Sequence, residues 1–284
     1  MQKRRGTVKE GTAITCNCMN SLDELPSVRL SRRALLAAAG ALGCQTRSPR
    51  TRRAAPTSSG GSDWGGLEMR TAGPMREGET GGTAVVVLHG WGAPGDDLVP
   101  LARELAAPRT RFFVPAAPLP EHGGGRAWWH LDAPDRPVHA WDDKEPEGFR
   151  PHPQVAAVRA AIQQVLRTIQ ERYKPERIAL GGFSQGAMVS LDVALAAAPA
   201  VDCLFALSGV LLADSLVGLK TPRASKPPVF ISHGRQDPLL SFDGAQKAKE
   251  MLERHGYAVE FHGFDGGHGI PPEIVAALRR FLRA

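Results

Sequence analysis

The stretch Gly181–Gly186, GGFSQG, places a serine among glycines just after the apolar run Arg177–Leu180. One interpretation is structural, because glycines allow tight turns and a serine caps a following helix. The other is catalytic. The segment Gly182–Gly186 fits G-x-S-x-G, the sharp strand-to-helix turn that exposes a nucleophilic serine at the top of an α/β-hydrolase sheet. A five-residue pattern is common by chance, so the choice depends on whether the chain supplies partners for Ser184.

The chain around this stretch alternates apolar strands with helical patterns. Thr83–Leu88 is a continuous β-branched and aliphatic run, as in a strand buried on both faces of a parallel sheet. Repeated β-α units predict an α/β fold with a mostly parallel sheet and helices on both faces, which binds ligands at the carboxyl ends of its strands. We predict strands at 83–88, 111–114, 177–180, 203–207, 228–232 and 257–261, and helices at 96–107, 154–173, 184–198, 242–255 and 271–282.

A nucleophilic serine needs a histidine to take its proton and a carboxylate to orient that histidine. In α/β-hydrolases the chain order is serine, acid, histidine. Asp237 and His268 each follow a predicted strand in that order, so we predict them as the acid and the base. Asp214 also follows a strand and is the alternative candidate for the acid of the triad. Three other aspartates fail on position, being inside, before or at the start of an element: Asp192, Asp202 and Asp243.

Other histidines have simpler interpretations. His255 stands beside Gly256 at the end of a predicted helix, where it is expected to form a C-terminal cap. His262 is interpreted as a solvated or packed side chain, and His233 as a local hydrogen-bonding group near the acid loop. None of these histidines has metal-ligand spacing with acids that the Ser-Asp-His interpretation leaves unexplained, so we predict no metal site.

The third requirement is an oxyanion hole of two backbone N–H groups. The residue after the nucleophile, Gln185, supplies one, aided by the positive end of the helix that follows. The loop after the first predicted strand, Leu88–Gly92, supplies the other, and Trp91 is the predicted donor. A plain glycine-rich turn would look the same.

Charge and composition narrow the class of protein. The 284 residues carry a net charge of +6, but residues 1–53 alone hold eleven Lys or Arg against three Asp or Glu. The remaining chain is therefore close to neutral, and we predict no nucleic-acid partner.

The N-terminal region has the pattern of an export signal. Charged residues in SRRALL, 31–36, are followed by a short apolar stretch and then by Ala41–Cys44, ALGC. The first motif resembles a twin-arginine signal and the second a bacterial lipobox, in which Cys44 would be lipidated. We predict an export signal at 1–44, a flexible tether at 45–82 that is rich in Arg, Ser, Thr, Gly and Pro, and a catalytic domain at 83–284.

Together, VVVLHGWG, GRAWW, GGFSQGAMVSLDVAL, HGRQDPLL and GGHGIPPE resemble the phospholipase/carboxylesterase family of α/β-hydrolases, over residues 83–283. The resemblance implies hydrolysis of carboxylic esters or thioesters without a cofactor, with Ser184, Asp237 and His268 as the triad. Thioesterase relatives show Arg-Ala-Trp-Tyr-Asp where this chain has Arg126–His130. Within that segment, Trp128 and Trp129 either line an acyl pocket or anchor the loop that follows.

Three functions stay open from the sequence. The first is an exported, lipid-anchored serine esterase of the carboxylesterase or lysophospholipase type, acting on small esters or acyl lipids. The second is a serine peptidase of similar fold, since the chemistry of the triad is shared. The third is a catalytically silent, lipid-anchored binding protein, although such proteins typically lose a member of the triad.

Overall fold

The computed structural model describes residues 64–131, 137–142, 144–197, 201–222 and 226–284. The export signal predicted at 1–44, including Cys44, lies outside these residues. The described chain forms an α/β fold around a seven-stranded sheet, in which six strands are parallel and the first is antiparallel to its neighbour. The predicted α/β-hydrolase architecture is confirmed.

The sheet has the order β1-β3-β2-β6-β7-β8-β9, and β4 and β5 form a separate antiparallel pair. Every predicted strand is present, and its ends lie within three residues of the predicted ones. The strands are β1 Met69–Ala72, β2 Thr83–Leu88, β3 Thr110–Pro115, β4 Leu119–Pro120, β5 Arg126–Ala127, β6 Arg177–Phe183, β7 Cys203–Leu207, β8 Val229–Gly234 and β9 Val259–Phe264.

The predicted helices are also present, with one short addition after β7. They are α1 Val99–Leu105, α2 Pro153–Tyr173, α3 Gln185–Ala197, α4 Leu216–Lys220, α5 Phe242–Arg254 and α6 Pro272–Phe281. Helix α1 is shorter than predicted, because a turn closed by the bond from the N–H of Val99 to the carbonyl of Asp96 precedes it. None of the described helices has the length and apolar character needed to cross a lipid bilayer.

Two apolar layers enclose the sheet, and successive side chains of β2 point alternately into one layer and the other. Val86 and Leu88 face the layer formed with α2, α3 and α5. Val85 and Val87 face the layer formed with α1 and α6. Burial on both faces explains why β2 is a continuous apolar run, and it leaves only the strand ends open for polar chemistry.

The predicted tether is wrong for residues 64–82. Strand β1 lies at the edge of the sheet, where Arg70 pairs with Val114 of β3. Trp64 is buried against Phe113, with ring centroids 5.9 Å apart. Leu67 and Met75 are buried in the same layer of the core. A few scattered apolar residues therefore fold this segment onto the domain, which extends at least to Trp64.

Candidate active site

Ser184 lies at the turn between β6 and α3, and its backbone has a φ of 55°. Few non-glycine residues adopt this left-handed conformation, and it is typical of strained functional positions. The flanking glycines are required by close packing: a Cβ on Gly182 would lie 2.4 Å from the carbonyl oxygen of Leu88, and one on Gly186 would lie 2.1 Å from it. The glycines thus allow the turn to press against the end of β2.

Asp237 and His268 are in direct contact. Nδ1 of His268 lies 2.6 Å from Oδ2 of Asp237, and both side chains are almost completely buried. The other carboxylate oxygen, Oδ1, accepts hydrogen bonds from the backbone N–H groups of Leu239 and Leu240, at 2.9 and 3.0 Å. The acid loop after β8 therefore fixes the carboxylate, and the carboxylate fixes the imidazole.

A second histidine also contacts the Asp237 carboxylate. Nε2 of the buried His233 lies 3.1 Å from Oδ2 of Asp237 and 2.9 Å from the carbonyl oxygen of Leu240. Burial alone would raise the pKa of the Asp237 carboxyl, but the hydrogen bonds from His233 and His268 outweigh it and hold the pKa well below its usual range. The carboxylate thus stays ionised beside His268. The sequence suggested only local hydrogen bonding for His233.

The ring nitrogen of His268 that does not contact Asp237, Nε2, is available to accept a proton. This atom is buried and has no hydrogen-bond partner among the described residues. The imidazole packs on the ring of Phe183, with centroids 4.8 Å apart, and Phe183 directly precedes Ser184. The loop that carries His268 is held by Ser208, whose Oγ donates to the carbonyl oxygen of Gly269 at 3.2 Å. Ser208 directly follows β7, has a φ of 49° and was not identified from the sequence.

Both predicted oxyanion donors lie next to Ser184 in the structure. Gln185 is the first residue of α3, so its N–H is at the positive end of the helix. Trp91 follows Gly90, and a Cβ on Gly90 would lie 3.3 Å from Cβ of Ser184. A side chain at position 90 would crowd Ser184 and Phe183, so the glycine eases the close approach of this loop to the serine.

The side chain of Gln185 has a second role that the sequence did not reveal. Its Oε1 accepts from the backbone N–H of Trp128 at 2.9 Å, and its Nε2 donates to the carbonyl oxygen of Trp129 at 2.9 Å. The residue after the serine therefore clamps the loop that follows β5.

Of the two interpretations of the tryptophan pair, anchoring is the one the structure supports. Trp128 is fully buried, and its Nε1 donates to the carbonyl oxygen of His89 at 2.8 Å. Trp129 is buried in the core as well. The proposed role of these two residues in binding substrate is thus wrong for this structure, because aromatic rings packed into the core leave no surface for a ligand.

A different apolar cavity lies beside the acid loop. It has a volume of about 230 Å³ and is lined by His139, Ala140, Trp141, Val210, Leu239, Leu240, Ser241 and Gly244. Leu239 and Leu240 are the residues whose amides hold Asp237, so the cavity adjoins the triad. Segment 137–142 forms one wall and is attached to the chain after β7 by the Ala140 N–H to Leu211 bond, at 2.8 Å.

The competing acidic residues have structural partners. Asp192 forms a two-point ion pair with Arg159, and Asp202 accepts from the backbone N–H of Ile178. The alternative candidate Asp214 accepts from the backbone N–H of His152 at 2.7 Å, and burial raises the pKa of its carboxyl. Asp243 lies in the first turn of α5, whose cap is Ser241.

His255 and His262, the other two histidines considered from the sequence, have structural partners. His255 caps the end of α5 through a bond to the carbonyl of Met251, as predicted. His262 pairs with Glu260 and stacks on Phe230. The described residues contain no group of three His, Cys, Asp or Glu side chains arranged to hold a metal ion.

Comparison with known proteins agrees with the α/β fold. The family model described as Phospholipase/Carboxylesterase matches residues 76–284. Acyl-protein thioesterase 1 of Kluyveromyces lactis is 29% identical over 216 residues, covering 70% of this chain and 90% of that protein. A probable carboxylesterase of Oryza sativa subsp. japonica is 27% identical over 208 residues, covering 70% and 76%. The crystal structure of esterase PE8 is 28% identical, covers 76% of this chain and 98% of that chain, and superposes with a TM-score of 0.61.

Proposed function

The chain belongs to the phospholipase/carboxylesterase family, and we propose that it is a serine esterase that cleaves carboxylic esters or thioesters through Ser184, Asp237 and His268. The observation that carries the proposal is the state of His268. Its Nδ1 is held by Asp237, whereas its buried Nε2 is unpartnered and its ring packs on Phe183 beside Ser184. A histidine held at one nitrogen and available at the other is suited to act as a general base.

In the first half of the reaction, Oγ of Ser184 attacks the carbonyl carbon of the ester and its proton passes to Nε2 of His268. The carbonyl oxygen becomes an oxyanion, which the N–H groups of Trp91 and Gln185 stabilise. The tetrahedral intermediate collapses, and the alcohol or thiol leaves with the proton from His268. The acyl group stays on Ser184 as an ester.

The second half uses the same groups. A water molecule attacks the acyl carbon while His268 takes one of its protons, and the intermediate collapses to release the carboxylic acid. Ser184 then regains its proton from His268. Throughout, the ionised Asp237 stabilises the imidazolium that forms twice in each cycle.

The cavity beside the acid loop is proposed as the site for the acyl chain. Its lining is mostly apolar, and it lies against Leu239 and Leu240, which adjoin Asp237. Apolar walls with few polar groups suit a hydrocarbon ligand. A volume of about 230 Å³ favours short to medium acyl chains over long ones.

The test is covalent labelling and ester hydrolysis with a matched serine control. Ser184→Ala is expected to abolish labelling by a fluorophosphonate probe and to lower kcat on p-nitrophenyl butyrate by about 10⁴-fold or more. The control is Ser190→Ala, since Ser190 is a buried serine whose Oγ donates within α3 to the carbonyl of Gly186. It should retain both activities. A Ser184→Ala protein with full hydrolysis would refute the proposal.

The preference of the enzyme for an oxygen, sulfur or nitrogen leaving group is measured with matched substrates. Butyryl esters, butyryl thioesters and butyryl anilides present the same acyl group with an oxygen, sulfur or nitrogen leaving atom. An esterase is expected to prefer the first two. Faster turnover of the anilide would instead indicate a peptidase, and a folded protein inert to all three and to the fluorophosphonate would be a silent binding protein.

We also propose that the chain is exported and anchored to a membrane through lipidated Cys44. The support is the sequence alone, the SRRALL motif followed by ALGC. Expression in a bacterium that is fed radiolabelled palmitate should label the full chain and place it in the membrane fraction. Cys44→Ala should remove the label and release the protein, and an unlabelled wild-type chain would contradict the proposal.

A further inference from the structure

His89 is a completely buried side chain in the loop that carries Trp91, and both of its ring nitrogens are engaged. Nδ1 lies 2.8 Å from the carbonyl oxygen of Gly90. Nε2 accepts from the backbone N–H of Ala117 at 2.9 Å. Because an amide N–H can only donate, Nε2 carries no proton. Nδ1 is then the protonated nitrogen, and it donates to Gly90.

The bond to Gly90 acts on Trp91 through the peptide plane. The carbonyl of Gly90 and the N–H of Trp91 belong to one trans peptide, in which the two groups point in opposite directions. Fixing the carbonyl toward His89 therefore fixes the N–H away from it. This peptide adjoins the nucleophile, since a Cβ on Gly90 would lie 3.3 Å from Cβ of Ser184.

The imidazole itself is held from several sides. Ala117 follows β3 and anchors Nε2, as described. The indole of Trp128 packs against the imidazole with ring centroids 5.3 Å apart, and its Nε1 donates to the carbonyl of His89. Burial lowers the pKa of the His89 imidazole, so the ring stays neutral in this setting. A neutral ring with a fixed tautomer keeps a constant donor toward Gly90.

We propose that His89 is a positioning residue that pre-orients the N–H of Trp91 to receive the oxyanion. The proposal rests on the esterase function proposed above. If the donor at Nδ1 is lost, the carbonyl of Gly90 keeps only the longer bond from the N–H of Ala93, at 3.4 Å. The Gly90–Trp91 peptide can then rotate, and a rotated peptide would present its carbonyl to the oxyanion in place of its N–H. Losing one such donor costs about 10²-fold in kcat.

Two variants separate this role from a merely structural one. His89→Asn places a side-chain N–H₂ at the same number of bonds from the backbone as Nδ1, so it keeps the donor to Gly90 and loses the acceptor for Ala117. His89→Gln places a side-chain oxygen at the same number of bonds as Nε2, so it keeps the acceptor and loses the donor. If His89 only anchors Ala117, the Gln variant should be the better enzyme.

The measurements are kcat and KM on p-nitrophenyl butyrate, the inhibition constant of butylboronic acid, and Tm, all with the full chain. The boronic acid forms a tetrahedral adduct on the serine that places an oxygen in the oxyanion hole. We expect His89→Gln to lose about 10²-fold in kcat, with an unchanged KM and an equal loss in boronate affinity. We expect the kcat and the boronate affinity of His89→Asn to stay within about tenfold of the wild-type values, although its Tm should be lower.

The proposal is overturned if His89→Gln keeps its kcat and boronate affinity, or if both variants lose kcat in step with their loss in Tm. Failure of the esterase function has a different signature. In that case the wild-type protein itself would neither hydrolyse the ester nor react with a fluorophosphonate. Normal labelling and hydrolysis in the wild type together with a fully active Gln variant would refute only the role of His89.

Discussion

Nε2 of His233 lies 3.1 Å from Oδ2 of Asp237, and both side chains are completely buried. The same Nε2 lies 2.9 Å from the carbonyl oxygen of Leu240, which can only accept. The nitrogen must therefore carry a proton, which it shares between the carbonyl and the carboxylate. Asp237 thus has one imidazole on each side, and only His268 adjoins the nucleophile.

This contact predicts a difference between two substitutions of His233. His233→Gln keeps an N–H₂ near the position of Nε2, with one proton for Leu240 and one for Asp237, so kcat should remain within a few-fold of the wild type. His233→Met has similar reach and no donor. A hydrogen bond to a charged group contributes about 1.5–3 kcal/mol, so we expect the Met variant to lose about tenfold or more in kcat on p-nitrophenyl butyrate. Equal activity in the two variants would contradict this prediction.

The same pair predicts how stability depends on pH. The folded pKa of Asp237 lies below its unfolded value of about 3.9. Its contribution to the free energy of unfolding is therefore complete above about pH 5 and is lost as the pH falls through the folded pKa. Removing the donor at His233 raises that pKa. The carboxylate then contributes less to the free energy of unfolding at neutral pH, and the protein reaches its acid-unfolding midpoint at a higher pH.

Acid unfolding followed by circular dichroism should show a higher midpoint pH for His233→Met than for the wild type, and little change for His233→Gln. The control is Glu260→Gln, which removes the exposed pair between His262 and Glu260 and leaves the imidazole of His262 stacked on Phe230. Exposed pairs contribute little, so that variant should unfold as the wild type does. A midpoint for His233→Met at or below the wild-type value would show that His233 does not lower the pKa of Asp237.

Substitutions of two residues that line the apolar cavity should shift the preferred acyl-chain length in opposite directions. A Cβ on Gly244 would lie 3.0 Å from Cγ1 of Val210 and 3.7 Å from Cη2 of Trp141, inside the cavity. Gly244→Ala should therefore lower kcat/KM for the longest chain that is accepted by about tenfold, with the acetyl ester unchanged. Val210→Ala removes two methyl groups and should extend the accepted length.

A p-nitrophenyl ester series from acetyl to palmitoyl measures both shifts. Val217→Ala is the matched control, because Val217 is 64% exposed and does not line the cavity. Its chain-length profile should equal that of the wild type. If Gly244→Ala and Val210→Ala leave the profile unchanged, the acyl chain binds elsewhere.

The elements that the sequence predicted well are those in which local pattern and chemistry coincide. Continuous apolar runs marked the central strands, and the residues just after them, Ser184, Asp237 and His268, follow the order that an α/β-hydrolase requires. The structure brings Asp237 and His268 into contact and sets Phe183, the residue before Ser184, against the His268 ring. In a parallel sheet, the position along the chain at which a strand ends determines the edge at which a side chain lies.

The features that were missed depend on contacts between distant residues. Trp128 has the same local sequence whether it faces a cavity or the core, and only its bonds to Gln185 and His89 show that it anchors the loop. The apolar cavity combines residues of three separate loops and one helix. The segment 64–82 was misassigned because a four-residue edge strand has too few alternations to stand out from a Gly- and Pro-rich background.

That segment yields a prediction about stability. Trp64 is buried against Phe113, and the guanidinium of Arg172 lies 5.7 Å from the centre of its ring. Truncating a buried tryptophan costs about 3–5 kcal/mol, so Trp64→Ala should lower the free energy of unfolding by that order. Urea denaturation measures it, with the exposed Val217→Ala as the control. A flexible tether would instead give no change, which would contradict the folded position of Trp64.

The ion pair between Arg159 and Asp192 predicts that replacing Arg159 destabilises the protein more than neutralising Asp192 does. Both contacts are 2.8 Å long, and they join α2 to α3. The side chain of Asp192 is 1% exposed and that of Arg159 is 23% exposed. Arg159→Met therefore strands a buried carboxylate, and we expect a cost of about 3–5 kcal/mol. Asp192→Asn leaves a guanidinium that can reach water, and it keeps an acceptor for Ser215, so it should cost less.

Replacing both partners tests whether the penalty comes from the stranded charge. The double variant Arg159→Met/Asp192→Leu leaves no charge to desolvate, so it should be more stable than Arg159→Met alone. Urea denaturation of the wild type, Arg159→Met, Asp192→Leu and the double variant gives the coupling energy. Because the pair lies between two helices and away from the strand ends, kcat should be unchanged in each variant below its Tm. A double variant less stable than Arg159→Met would show that packing, and not charge, determines the cost at this position.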